Sequence, residues 1–157
     1  PYRIKVSGRT KHHINVFGEE LIIENTDNAL KKASQITGCQ IINDTAAPMF
    51  MEEKKKGAHE WIIEFKTPPE NLEIFIVELD LALQQLNSDY EAKRFNNMTL
   101  NMPKVHQARE KLFYDWLKKN DKLGGQHKIP RLSNKRCYVE ELLEMSGRSS
   151  APDAMEI

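Results

Sequence analysis

Two hydrophobic periods meet at Thr67-Pro68-Pro69-Glu70, and no other stretch constrains the fold as strongly. Before it, Trp61, Ile63 and Phe65 recur at every second position, one face of a β-strand. After it, Leu72, Phe75, Ile76, Leu79, Leu83 and Leu86 fall on one stripe of an α-helix, while Ile74, Val77 and Leu81 add apolar groups on another side. The junction has capping-box spacing with proline at the first helical position, so the helix is expected to start there. Apolar on two sides, it is expected to be covered on two faces.

The rest of the chain repeats this alternation. Tyr2 to Val6 and His13 to Phe17 are β-compatible, with Gly8 and Gly18 as turns. Asn25-Thr26-Asp27 supplies capping chemistry for a helix from about Thr26 to Thr37, its face marked by Ala29, Leu30, Ala33 and Ile36 and its stop by Gly38. Cys39 to Asn43 and Pro48 to Met51 read as strand broken by Ala46-Ala47-Pro48, and Glu52 to Gly57 as a solvated, charged hairpin tip. Within Asn87-Ser88-Asp89-Tyr90, Ser88 or Asp89 is expected to cap a short turn that precedes Arg94, with direct ligand contact the alternative. Met98 to Val105 looks extended despite Pro103. Leu112, Phe113, Trp116 and Leu117 mark a third helix ending near Asn120, and a fourth spans Tyr138 to Met145. Without the leading strand the order is βαββαβ. That order predicts an α+β fold, a split, ferredoxin-like layer of sheet against helices with a helical C-terminal extension. The domain is expected over residues 1–145, with 146–157 a flexible tail.

The chemistry concentrates in Gly124-Gly125-Gln126-His127-Lys128-Ile129-Pro130-Arg131. Two glycines free the backbone and Pro130 stiffens the exit, so the loop presents Lys128 in a defined position. An ammonium on a flexible stem is a point charge suited to a transferring phosphoryl group, and a guanidinium fork suits a fixed carboxylate or phosphate. A lysine in a polar loop is also the ordinary solvated surface charge. Lysine and arginine total 23 against 23 acidic residues, leaving no field to gather polyanions, so nonspecific nucleic-acid binding is disfavoured. Cys39 and Cys137 lack metal-ligand spacing, and His12 and His13, adjacent on a strand, point to opposite faces; no metal is expected. No apolar run nears the roughly 18 residues of a membrane span, and a cytoplasmic protein is expected.

Asn87-Ser88-Asp89-Tyr90 with Arg94, then Phe113 and Trp116 on a helix, then Gln126 to Arg131 before Glu140-Glu141-Leu142-Leu143, follow one another in a familiar order. Together they resemble the C-terminal domain of the auxin-responsive (Gretchen Hagen) family of acyl acid amido synthetases. Plant members carry a similar N-Q-Y-K-T-P-R segment, which Gln126, Lys128, Pro130 and Arg131 match and Gly125, His127 and Ile129 do not. Gly8-Arg9-Thr10, Ile14, Gly18 and Ile23-Glu24 resemble the crossover element of the wider adenylate-forming superfamily of luciferases and acyl-coenzyme A synthetases. Phe17 stands where that superfamily commonly has arginine. Asn25-Thr26-Asp27 stands where plant relatives read K-T-D, which puts a second phosphate-contacting lysine in question.

The resemblance implies a two-step ligase. ATP activates a carboxylic acid to an acyl-adenylate and pyrophosphate, and an amino acid amine then attacks the acyl carbon. Lys128 would serve the first step, with Gln126, Arg131 and Arg9 toward the nucleotide, on a lid that swings between the half-reactions. ATP with its magnesium would be held mainly by the family's larger N-terminal adenylation domain, which lies outside this chain. The isolated chain is then not expected to catalyse anything, and it does not select the acid or the amine. The alternative is a stand-alone ferredoxin-like regulatory or small-molecule-binding module in which the lysine loop is structural.

Overall fold

The structure, a computed structural model, describes residues 12–51, 56–124 and 128–147. Expectations placed on Tyr2 to Val6, Gly8, Arg9, Thr10, Glu52 to Lys55, Gly125 to His127 and most of the tail lie outside the described residues.

Two short antiparallel strands, β1 (His13–Ile14) and β2 (Leu21–Ile22), lead into helix α1 (Ile23–Thr37). Strands β3 (Gln40–Met51) and β4 (Lys56–Thr67) pair antiparallel. Helices α2 (Leu72–Leu86) and α3 (Ser88–Arg94) and a 3-10 turn (Phe95–Asn97) carry the chain to β5 (Lys104–Gln107), which lies parallel to β4. Helices α4 (Leu112–Lys119) and α5 (Cys137–Met145) follow. The sheet order is β3-β4-β5, so β4 is central.

Because successive strand residues face opposite ways, β4 serves two cores. Trp61 and Ile63 pack with Leu30 and Ala33 of α1 and Phe75, Leu79 and Leu83 of α2. Ile62 packs with Leu112, Phe113 and Trp116 of α4 and Val139, Leu142 and Leu143 of α5. The helical C-terminal extension is therefore a third layer, on the sheet face opposite α1 and α2.

The expected α+β class, with sheet against helices, is found. The strand arrangement differs in detail: among the described residues the main sheet has three strands, and β1 pairs with β2 in a ribbon of its own. Of His13 to Phe17 only His13–Ile14 is strand, and β2 was not anticipated. Helix α1 starts at Ile23 rather than Thr26, because Asn25 acts from inside the first turn: its Oδ1 accepts from Ile22 N at 3.2 Å. Gly38 ends it as expected, at φ 72° with its N–H donating to Ser34 O.

Helix α2 starts at Leu72, not at Thr67-Pro68. Thr67 is still strand, each proline keeps the residue before it out of the helical region, and Asn71 caps instead, its Oδ1 accepting from the Glu73 and Ile74 amides. Nor is α2 covered on two faces: Ile74, Val77 and Leu81 are 51%, 40% and 46% exposed, while Phe75, Leu79 and Leu83 are fully buried. Strand β3 runs unbroken through Ala46-Ala47-Pro48. The Pro48 carbonyl faces the outer edge of the sheet, accepting from Arg136 Nη1 at 2.8 Å. The nitrogen of a strand residue faces the same side as its carbonyl, so the missing N–H costs no bond to β4. Asn87, rather than Ser88 or Asp89, caps α3, accepting from Tyr90 N at 2.8 Å. Of Met98 to Val105, only the part from Lys104 is strand.

Candidate functional site

The segment from Lys128 to Ser133 lies along the outer edge of β3, anchored residue by residue. Ile129 enters the core of α4 and α5, and Leu132 enters the core of α1 and α2. Each such burial contributes about 1.5–3 kcal/mol. Between them the Thr45 hydroxyl donates to Pro130 O at 2.7 Å, Ala46 N donates to Arg131 O at 2.9 Å, and Ser133 N donates to Ala46 O at 3.2 Å. Pro130 fits because it takes part only as an acceptor, the segment's N–H donation to β3 coming from Ser133.

Lys128 sits at the entry to this anchored run with an exposed side chain, and among the described residues no carboxylate pairs with it. Its backbone is constrained on the C-terminal side, where Ile129 is buried and Pro130 O accepts from Thr45. Arg131 behaves differently. Its Nε lies 3.4 Å from Asp44 of β3, and its Nη2 donates to Asp27 of α1. Burial would lower the Arg131 pKa, but the Asp27 and Asp44 carboxylates outweigh it and hold the guanidinium above its ordinary value. Burial pushes the Asp44 carboxyl up, against the pull of Arg131. Gln126 and Arg9, the other expected nucleotide contacts, lie outside the described residues.

The remaining residues of the sequence signature are architectural. Asn87 caps α3 and donates through Nδ2 to Glu20 O and Asn25 Oδ1, each at 3.2 Å. Tyr90 Oη and Arg94 Nε both donate to Asp80 Oδ1 at 2.7 Å, and Arg94 Nη2 donates to Asp80 Oδ2 at 2.7 Å. Burial, reinforced by Asp80, pushes the Tyr90 hydroxyl well above its usual range. Trp116 is buried, and its Nε1 donates to Glu141 at 2.7 Å.

Three buried polar partners escaped sequence reasoning. Asp80 of α2 sits inside an apolar pattern, Glu19 pairs with His59 at 2.8 Å, and Glu60 bonds both His106 and Arg136 at 2.7 Å. No local signal names their partners; for Asp80 alone, a charge within an otherwise apolar period is a hint. No group of described His, Cys, Asp and Glu residues could hold a metal ion. A cavity of about 330 Å³ is bounded by Ile62, His106, Arg109, Leu112 and Leu143, between β5 and the α4–α5 layer.

This sheet between helical layers, with a lysine segment bound to its edge, has the fold seen in acyl acid amido synthetases. The chain superposes on the AtGH3.15 acyl acid amido synthetase in complex with 2,4-DB with a TM-score of 0.67. On the GH3.15 acyl acid amido synthetase the TM-score is 0.70. In both cases identity is 14%, and the match covers 89% of this chain and 26% of the solved one. The sequence profile of the GH3 family C-terminal domain matches residues 24–137, and the chain belongs to that family. Comparison with curated protein sequences gives no match.

Proposed function

We propose that the chain is the mobile lid of an ATP-dependent acyl acid amido synthetase, and that Lys128 supplies the cation for acyl-adenylate formation. The observation that carries this reading is the exposed Lys128 at the entry to a segment anchored in both cores, on a chain of this family. When a carboxylate oxygen attacks the α-phosphorus of ATP and pyrophosphate leaves, negative charge moves onto the phosphate oxygens. An ammonium brought there by a fixed backbone offsets that charge, most effectively where water is excluded. Once the lid swings away, an amino acid amine attacks the acyl carbon, and Lys128 is no longer needed.

Adenine, ribose, magnesium and the acid fall to the larger N-terminal adenylation domain, for which the chain, covering 26% of its solved relatives, leaves room. Gln126 and Arg9 are assigned toward the nucleotide on the family resemblance. A cytoplasmic setting belongs to the same proposal, in keeping with free thiols at Cys39 and Cys137. The test is an acid panel on the full-length polypeptide, with ATP and hydroxylamine as trapping nucleophile. Acid-dependent acyl-hydroxamate and pyrophosphate support the reading. ATP consumption that yields ADP and phosphate instead would overturn it.

A further inference from the structure

Arg131 sits in the sequence signature as an apparent phosphate ligand, yet its guanidinium is already engaged by two carboxylates from two different elements. One positive charge facing two negative ones leaves no surplus for a polyphosphate, and a nucleotide would have to displace Asp27 and Asp44 from it. The Arg131 backbone is meanwhile part of the edge pairing, its carbonyl accepting from Ala46 N at 2.9 Å. The other polar ties of the segment reach β3 alone, through Thr45 and Ala46; the Arg131 side chain adds the polar tie to α1.

We propose that Arg131, Asp27 and Asp44 form a clasp whose role is to position Lys128, making Arg131 a positioning residue rather than a nucleotide ligand. The inference rests on the reading of Lys128 given above. The clasp locks the segment to α1 and β3 together, three residues from the ammonium's own backbone. Losing it removes the segment's polar tie to α1, so that Lys128 is held only through the β3 edge bonds and the burial of Ile129 and Leu132. A displacement on the scale of 1 Å of a catalytic group costs on the order of 10²-fold in rate.

The test is steady-state ATP–pyrophosphate exchange in the full-length enzyme, comparing Arg131→Met, the Asp27→Asn/Asp44→Asn pair, Lys128→Ala and the Lys128→Ala/Arg131→Met combination. Arg131→Met is expected to lower kcat by about 10- to 100-fold with the KM for ATP nearly unchanged. The asparagine pair should reproduce that loss, and Arg131→Met should add nothing in the Lys128→Ala background, because coupled residues are not additive. The swapped pair Arg131→Asp/Asp27→Arg should recover part of the rate, which an unfolded domain could not do. A raised KM for ATP with harmless asparagine variants would overturn the clasp, as would additive losses in the double variant. A Lys128→Ala enzyme with full exchange would remove the underlying reading and the clasp with it, an outcome distinct from the other two.

Discussion

Gly57 lies directly under the ring of Phe17, and a Cβ added there would meet Phe17 Cζ at 2.0 Å. The ring also packs on Phe50 at 5.4 Å and lies 6.5 Å from the His59 ring between centroids, contacts it would have to give up in order to move. Gly57→Ala is expected to destabilise the chain by about 1–3 kcal/mol through overpacking. Combining it with Phe17→Ala should recover part of that loss, and urea unfolding of the four variants would show it. If the double variant is no more stable than the sum of the singles allows, the contact is not the cause.

Two buried carboxyls contribute to the acid response of the fold. Burial alone would raise the Glu19 pKa, but the hydrogen bond and charge of His59 hold it below the ordinary 4.5. Glu60 is likewise lowered, burial being outweighed by His106 and Arg136. A carboxyl with a depressed folded pKa contributes stability that is complete above the unfolded value and is lost as pH falls through the folded one. Both therefore favour unfolding as pH drops below 4.5. Asp44, raised by burial, runs the other way, its ionisation costing stability as pH rises above 3.8. The urea midpoint is expected to fall on acidification below pH 4.5, and Glu19→Gln should flatten that slope. A slope identical in the variant would contradict the assignment.

At the level of elements, α2 separates what pattern shows from what it hides. The stripe through Phe75, Leu79 and Leu83 is legible because helical spacing and burial coincide. The start was misread because Thr67 to Glu70 satisfies the capping spacing while Asn71 makes the bonds, and local spacing does not record that Thr67 still pairs with Gln40. Strand β4 hides its second face in the same manner. Glu60 and Glu64 alternate with Ile62 there, and only partners distant in sequence explain their burial. The outer stripe of α2 carries a prediction. Ile74→Gln and Leu81→Gln should each change stability by about 0.5 kcal/mol or less, whereas Leu79→Ala should cost about 2–5 kcal/mol. Thermal or urea melts of these variants check it; a large loss at Ile74 would mean that residue is covered in solution.

In the whole molecule, the sheet acts as a partition whose outer β3 edge carries the lysine segment. The family signature in Gln126 to Arg131 was legible as a motif, but its mounting was not. Ile129 and Leu132 read as ordinary apolar residues, while Asp27 and Asp44 lie 104 and 87 positions from Arg131 in the chain. Only folding brings them together, pairing Arg131 with two carboxylates while Lys128 is exposed. The central claim is that this one ammonium serves adenylation and not amide formation. It is tested most directly by Lys128→Ala in the full-length enzyme, measuring acid-dependent ATP–pyrophosphate exchange beside single-turnover aminolysis of supplied acyl-adenylate. Exchange is expected to fall by about 10²- to 10³-fold, as for loss of one preorganised charge-stabilising group, with aminolysis preserved. Equal loss of both half-reactions, or loss of neither, would contradict it.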